Sequence, residues 1–180
     1  MMPLAVVFSL LLGWLLGGRL RRWEQTRLRV LPLPILALLL QQLIARLPPF
    51  WTAPLLLLSY GLLFFFCLIN RHLPKTALLV ALGSGCNLLV ITLNGFRMPV
   101  SRQAAAVLSP EGLTALENLQ IPMYALAGPD TRLWFLGDVL YVPLLRGFAS
   151  VGDLLLAAGV FFCLMAIMSP TFLPRWMRRG

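Results

Sequence analysis

Between Thr76 and Asn94 the chain carries no charged side chain, nor does it in Pro3–Gly18 or Ala53–Asn70, and two further apolar stretches, Val30–Leu47 and Val151–Ser169, carry one each near an end, Arg46 and Asp153. Each approaches the ~20 residues a helix needs to cross the hydrocarbon layer of a bilayer. A chain that is 59% hydrophobic and only 12% charged, with mean hydropathy +0.86, has too much apolar surface for one water-soluble core. The runs therefore predict an all-α fold, an integral membrane bundle of about five transmembrane helices making a single membrane domain over residues 1–180. A long outer segment, 95–150, separates the last two spans. Pro32 and Pro34 suit a helix entry, where a missing N–H does little harm. No positive charge precedes the first run and several follow it, the reverse of a cleavable export signal, so that run is read as a retained helix. Gly13 and Gly17 would give it a flat packing face.

A net charge of +9 could suggest nucleic acid, but the basic residues are distributed by loop and form no recognition surface. Arg19, Arg21, Arg22, Arg27 and Arg29 follow the first span, Arg71 and Lys75 the third, and Arg175, Arg178 and Arg179 the fifth. The other side has Arg46, Arg97, Arg102, Arg132 and Arg146. By the positive-inside rule the N-terminus lies outside and the C-terminus in the cytoplasm. The expected partner is the lipid bilayer, with other membrane proteins or a lipid-linked substrate as further candidates and no nucleic acid.

Five of the six acidic residues, Glu111, Glu117, Asp130, Asp138 and Asp153, fall on the outer side or at its edge, and Glu24 stands with the cytoplasmic arginines. Ser109-Pro110-Glu111 reads as an N-cap followed by proline at the first helical position, predicting a short interfacial helix over Pro110–Gln120. The aromatic stretch around Trp134 and Phe135 brings Asp138 to the headgroup zone. Ser150-Val151-Gly152-Asp153 has the pattern of a capping box, so Asp153 is either a cap or a functional acid. Asp138 is either a turn residue or the second such acid.

Ser84, Asn87, Ile91 and Asn94 follow at steps of three and four and share one helix face, which Gly83 and Gly85 keep narrow upstream. Buried amides must find partners, since one left unpaired in hydrocarbon costs roughly 2–7 kcal/mol. Two readings follow. The asparagines hydrogen-bond a neighbouring helix, or Asn94, Arg97 and the backbone at Gly95 form a polar floor with Asn87, and Arg97 pairs with Asp138 or Asp153. Gln41 and Gln42 are read as packing across the bundle. Cys67, Cys86 and Cys163 all lie within spans and act as small apolar residues. His72 is the only histidine, which leaves no partner set for a histidine metal site or a serine triad, and no phosphate-binding glycine loop is present. No cofactor or metal is expected. Few mid-membrane charges and no internal repeat speak against a transporter.

The series Gly85-Cys86-Asn87, Asn94-Gly95-Phe96-Arg97-Met98-Pro99-Val100, Leu136-Gly137-Asp138-Val139 and Ser150-Val151-Gly152-Asp153-Leu154 resembles a family of small bacterial membrane proteins of unknown function, over roughly Thr76–Ser169. That resemblance implies a bacterial plasma-membrane location and a multi-helix fold, and no activity. A weaker similarity is to lipoprotein signal peptidase, a membrane aspartyl protease. It implies that Asn87 matches a helix asparagine of that enzyme, and Asp138 and Asp153 its two catalytic aspartates. Leu88-Leu89-Val90-Ile91 replaces the enzyme's polar continuation after the asparagine, Ser150 stands in place of its second asparagine, and Gly95–Gly137 is a far longer insertion.

Two functions are consistent with these residues. One is a non-enzymatic accessory or scaffold protein with a polar outer-leaflet site at Asn87, Asn94 and Arg97. The other is an intramembrane aspartyl hydrolase using Asp138 and Asp153, two carboxyl groups that would share a proton to activate water.

Overall fold

The computed structural model describes residues 2–20, 28–145, 147–171 and 174. Arg21, Arg22, Glu24, Arg27, Arg146, Arg175, Arg178 and Arg179 lie outside the described residues. The apolar runs form helices α1 (Met2–Leu15), α2 (Pro32–Ile44), α3 (Thr52–Ile69), α4 (Pro74–Leu93) and, late in the chain, α7 (Val151–Met168). Proline opens α2 and α4 at the first turn, where its lost donor would have been unpaired anyway. Three of the helices are long and apolar enough to cross a membrane: α3 with the 3-10 turn Pro49–Trp51 that leads into it, α4 and α7. The other two are shorter than their apolar runs. With 14 and 13 residues, α1 and α2 extend only about 20 Å each, against the ~30 Å of a bilayer core.

The segment 95–150 is where the all-α expectation is corrected. It contains two short helices, α5 (Arg102–Ala105) and α6 (Pro110–Glu117), and a four-stranded mixed sheet of β1 (Met98–Val100), β2 (Tyr124–Leu126), β3 (Asp138–Val142) and β4 (Gly147–Ser150). The strand order is β2-β1-β3-β4, with β1 parallel to both neighbours and β3 antiparallel to β4. Ser109 caps α6 as its sequence implies, its Oγ accepting from Gly112 N at 3.2 Å. Ser101 caps α5 in the same way. Val100, Ala104, Ala105 and Leu116 form a small core between the sheet and these helices.

Within the bundle, α7 packs against α4 on one side and α1 on the other, α4 against α3, and α3 against α2. Glycine sets the α4–α7 spacing. A Cβ on Gly83 would stand 2.6 Å from the Gly152 carbonyl oxygen, and one on Gly159 would stand 2.7 Å from Val80 Cγ2. Such contacts let the two backbones approach closely and substitute packing for the hydrophobic drive that lipid does not provide. Gly13 likewise packs against Met168 of α7. Gly17 does not share that face: it turns the chain after α1 with φ 76°, and Gly18 makes the second contact with Met168.

Two asparagines tie loops to helix ends. Asn70, fully buried at the C-cap of α3, accepts from Arg29 N (2.8 Å) and donates to Arg29 O (2.9 Å) and Phe66 O (3.0 Å). Asn94, the C-cap of α4, repeats the pattern, accepting from Arg132 N (3.0 Å) and donating to Arg132 O (2.8 Å) and Val90 O (2.7 Å). One lies at the end of the bundle where Arg29 and Arg71 sit, the other at the end that carries the sheet.

Candidate functional site

Toward the sheet end of the bundle, the buried side chains of Asn87, Asp138 and Ser150 gather with Asp153 into one polar node. Asn87, from the middle of α4, is 4% exposed and faces the first turn of α7. Its Nδ2 donates to Asp153 Oδ1 at 3.2 Å, and its Oδ1 accepts from Ser150 Oγ at 2.8 Å. Gly152 makes room for this, because a Cβ there would collide with the Asn87 amide. Ser150 and Asp153 complete the capping box reciprocally: Asp153 N donates to Ser150 Oγ (3.0 Å) and Ser150 N to Asp153 Oδ2 (3.1 Å). The carboxylate of Asp153 thus accepts from an interhelical amide on one oxygen and from its own cap on the other.

Strand register brings the second acid to the same place. Asp138 opens β3, opposite Val100 of β1 on one side and Ser150 of β4 on the other, so it is paired in register with the serine that caps the helix of the other acid. Asp138 is 3% exposed and its Oδ1 has no hydrogen-bond partner among the described residues. Burial, helped by the neighbouring Asp153 charge, pushes its carboxyl up to about 7, because ionisation there would leave a charge in a dry site beside a like charge. The phenols of Tyr60 on α3 and Tyr124 on β2 lie within electrostatic reach of both carboxyl groups, and Tyr60 stands beside the Asn87 side chain.

The other two residues of the expected polar floor are elsewhere. Asn94 is occupied by the backbone of Arg132. Arg97 Nη1 donates to the carbonyls of Leu119 (3.2 Å), Ile121 (3.4 Å) and Tyr124 (3.1 Å), gathering the turn before β2, rather than pairing with Asp138 or Asp153. The structure therefore joins Asn87, Asp138 and Asp153 and separates Asn94 and Arg97 from them.

Sequence reasoning passed over Tyr60 and gave Gln41 only a packing role. Ser59-Tyr60 is a polar pair in the otherwise apolar α3, and that was the available signal. Gln41 does bond across the bundle, donating from Nε2 to Ser59 Oγ at 3.2 Å. Gln41, Tyr60, Asn87 and Asp153 together line one end of an interhelical cavity of about 370 Å³ whose remaining walls are almost wholly apolar.

A model of a family of unknown function, DUF5317, matches residues 24–165. No curated protein and no solved structure matches the chain.

Proposed function

As a member of the DUF5317 family the chain inherits no activity, and from its own geometry we propose that it is a non-enzymatic multi-pass protein of the bacterial plasma membrane, a binding or scaffold component with its polar node at the outer leaflet. The N-terminus is outside and the C-terminus cytoplasmic in this reading, which the positive-inside rule supports: Arg29 and Arg71 sit at the end of the bundle opposite the sheet. One observation carries the non-enzymatic reading. Both carboxylate oxygens of Asp153 are engaged with Asn87 and the α7 cap, and Asp138 lies behind Ser150, outside the residues that line the cavity. A carboxyl pair that activates water needs both groups facing one shared, accessible position.

The aspartyl-hydrolase reading is kept as a second one, because the β3–β4 register places Asp138 against the serine that caps Asp153 and Asp138 is held protonated near neutrality. Complementation separates the two. In a strain lacking the protein, Asp138→Asn at wild-type expression restores the lost phenotype fully under the first reading, and Asn87→Leu fails because the α4–α7 junction comes apart. If Asp138→Asn and Asp153→Asn are each expressed normally yet each fail completely, the dyad is catalytic and the binding reading falls.

A further inference from the structure

The cavity headed by the polar node runs along the bundle. Leu31, Ile35, Leu38 and Gln41 line it at steps of three and four, one face of α2 beginning at its N-cap, and Leu28 of the preceding segment lies with them. At ~1.5 Å per residue the stretch from Leu31 to Gln41 extends about 15 Å. Leu156, Val160, Cys163 and Ile167 of α7 form the opposite wall. Thr76 stands at the far end, 1% exposed, with a hydroxyl that has no hydrogen-bond partner among the described residues. The volume of about 370 Å³ falls in the range of sites that hold small organic ligands.

The same cavity is open at its side. α1 packs on α7 and α2 on α3, while α1 and α2 barely touch each other. Between them the lining residues Val6, Ile35 and Leu38 are 37%, 53% and 43% exposed. In a bilayer that gap faces acyl chains rather than water.

We propose that this cavity binds a single-tailed amphiphile whose head donates hydrogen bonds and carries no negative charge, and that the ligand enters from the bilayer between α1 and α2. The inference deepens the binding reading above and rests on it. The apolar length takes the tail. At the head, the groups with acceptor capacity to spare are the Asp153 carboxylate and the Gln41 carbonyl oxygen, since Gln41 Nε2 already donates to Ser59. Neither lysine nor arginine lines the cavity among the described residues. A phosphate or carboxylate head would therefore meet the Asp153 carboxylate with no counter-charge, in a site where like charges are weakly screened.

The test uses the full chain in phosphatidylcholine nanodiscs and a monoacylglycerol with a diazirine in its tail. After illumination, cross-links map to residues 31–41, along α2 and its N-cap, and to 156–167 of α7, and excess unlabelled monoacylglycerol reduces them at least tenfold. A lysophosphatidic acid probe with the same tail labels these positions at a tenth of that yield or less. Val160→Trp, which fills the cavity, lowers labelling about tenfold with an unchanged thermal transition; should that variant misfold, Leu38→Trp at the exposed gap serves instead. Labelling confined to the lipid-facing Leu57, Leu58 and Leu68, or lining labels that are neither competed nor reduced by the tryptophan, overturns the site. Equal labelling by the phosphate-headed probe overturns the assignment of the head. Complementation by Asp138→Asn reads catalysis and not occupancy, so failure here is distinguishable from failure of the binding reading.

Discussion

Asp138 holds its proton because one register position combines two conditions: a strand flanked on both sides, which excludes water, and a neighbour whose cap fixes a second carboxylate nearby. The folded chain keeps that proton up to about pH 7, whereas the unfolded chain releases it near the ordinary 3.8. Between those values the folded state binds more protons, so stability is greatest at the acid end and declines as pH rises through 7. Asp138→Asn removes the slope. In detergent, thermal unfolding of this variant is expected to gain on the parent by roughly 2–3 kcal/mol between pH 5 and pH 8, since each pH unit between the two proton affinities is worth ~1.4 kcal/mol; a parent whose transition does not move between those pH values contradicts the assignment. The sequence made Asp153 and Ser150 legible as a capping box, because that pattern is local. It could not show that the Arg97 guanidinium would be taken up by three carbonyls, or the Asn94 amide by Arg132, since those partners are brought within reach only by the folding of the segment 95–150.

At the scale of elements, the α4–α7 contact rests on which glycine faces which helix. Gly83 and Gly85 look alike in sequence, but residues two apart point to nearly opposite sides of a helix. Gly83 meets the backbone of α7, while a Cβ on Gly85 would meet nothing within 4 Å. Gly83→Ala must push α7 away from backbone atoms and is expected to cost ~1–3 kcal/mol, whereas Gly85→Ala should be neutral or slightly stabilising through helix propensity. Unfolding of both variants in a denaturing-detergent titration checks the pair, and equal effects would mean that the interface is not set by close approach. The strands were illegible for a related reason. Met98-Pro99-Val100 is too short to display alternation, and its proline reads as a breaker. It holds a central position because Met98 N donates to Met123 O and Ser101 N to Asp138 O, so the bonds fall on either side of the residue that lacks a donor.

Across the whole molecule, hydropathy revealed the helices because apolar runs are a local property, and it overestimated α1 and α2 because it does not register where a helix turns away. The polarity of the chain along the membrane normal is testable directly. A fluorescent protein fused after residue 180 should fold and fluoresce, and alkaline phosphatase fused at Gly128, in the segment between β2 and β3, should be active; the reverse pattern would invert the orientation and put the node at the inner leaflet. Asn70 and Asn94 hold a loop at each end of the bundle, and both do so through main-chain atoms of the residue they grip. Such a grip is blind to the side chain at 29 or 132. Evolution is then free to rewrite both loops, with proline barred from those two positions because it has no N–H to offer, while 70 and 94 themselves can accept little but an amide. The helices stay in place while the loops drift.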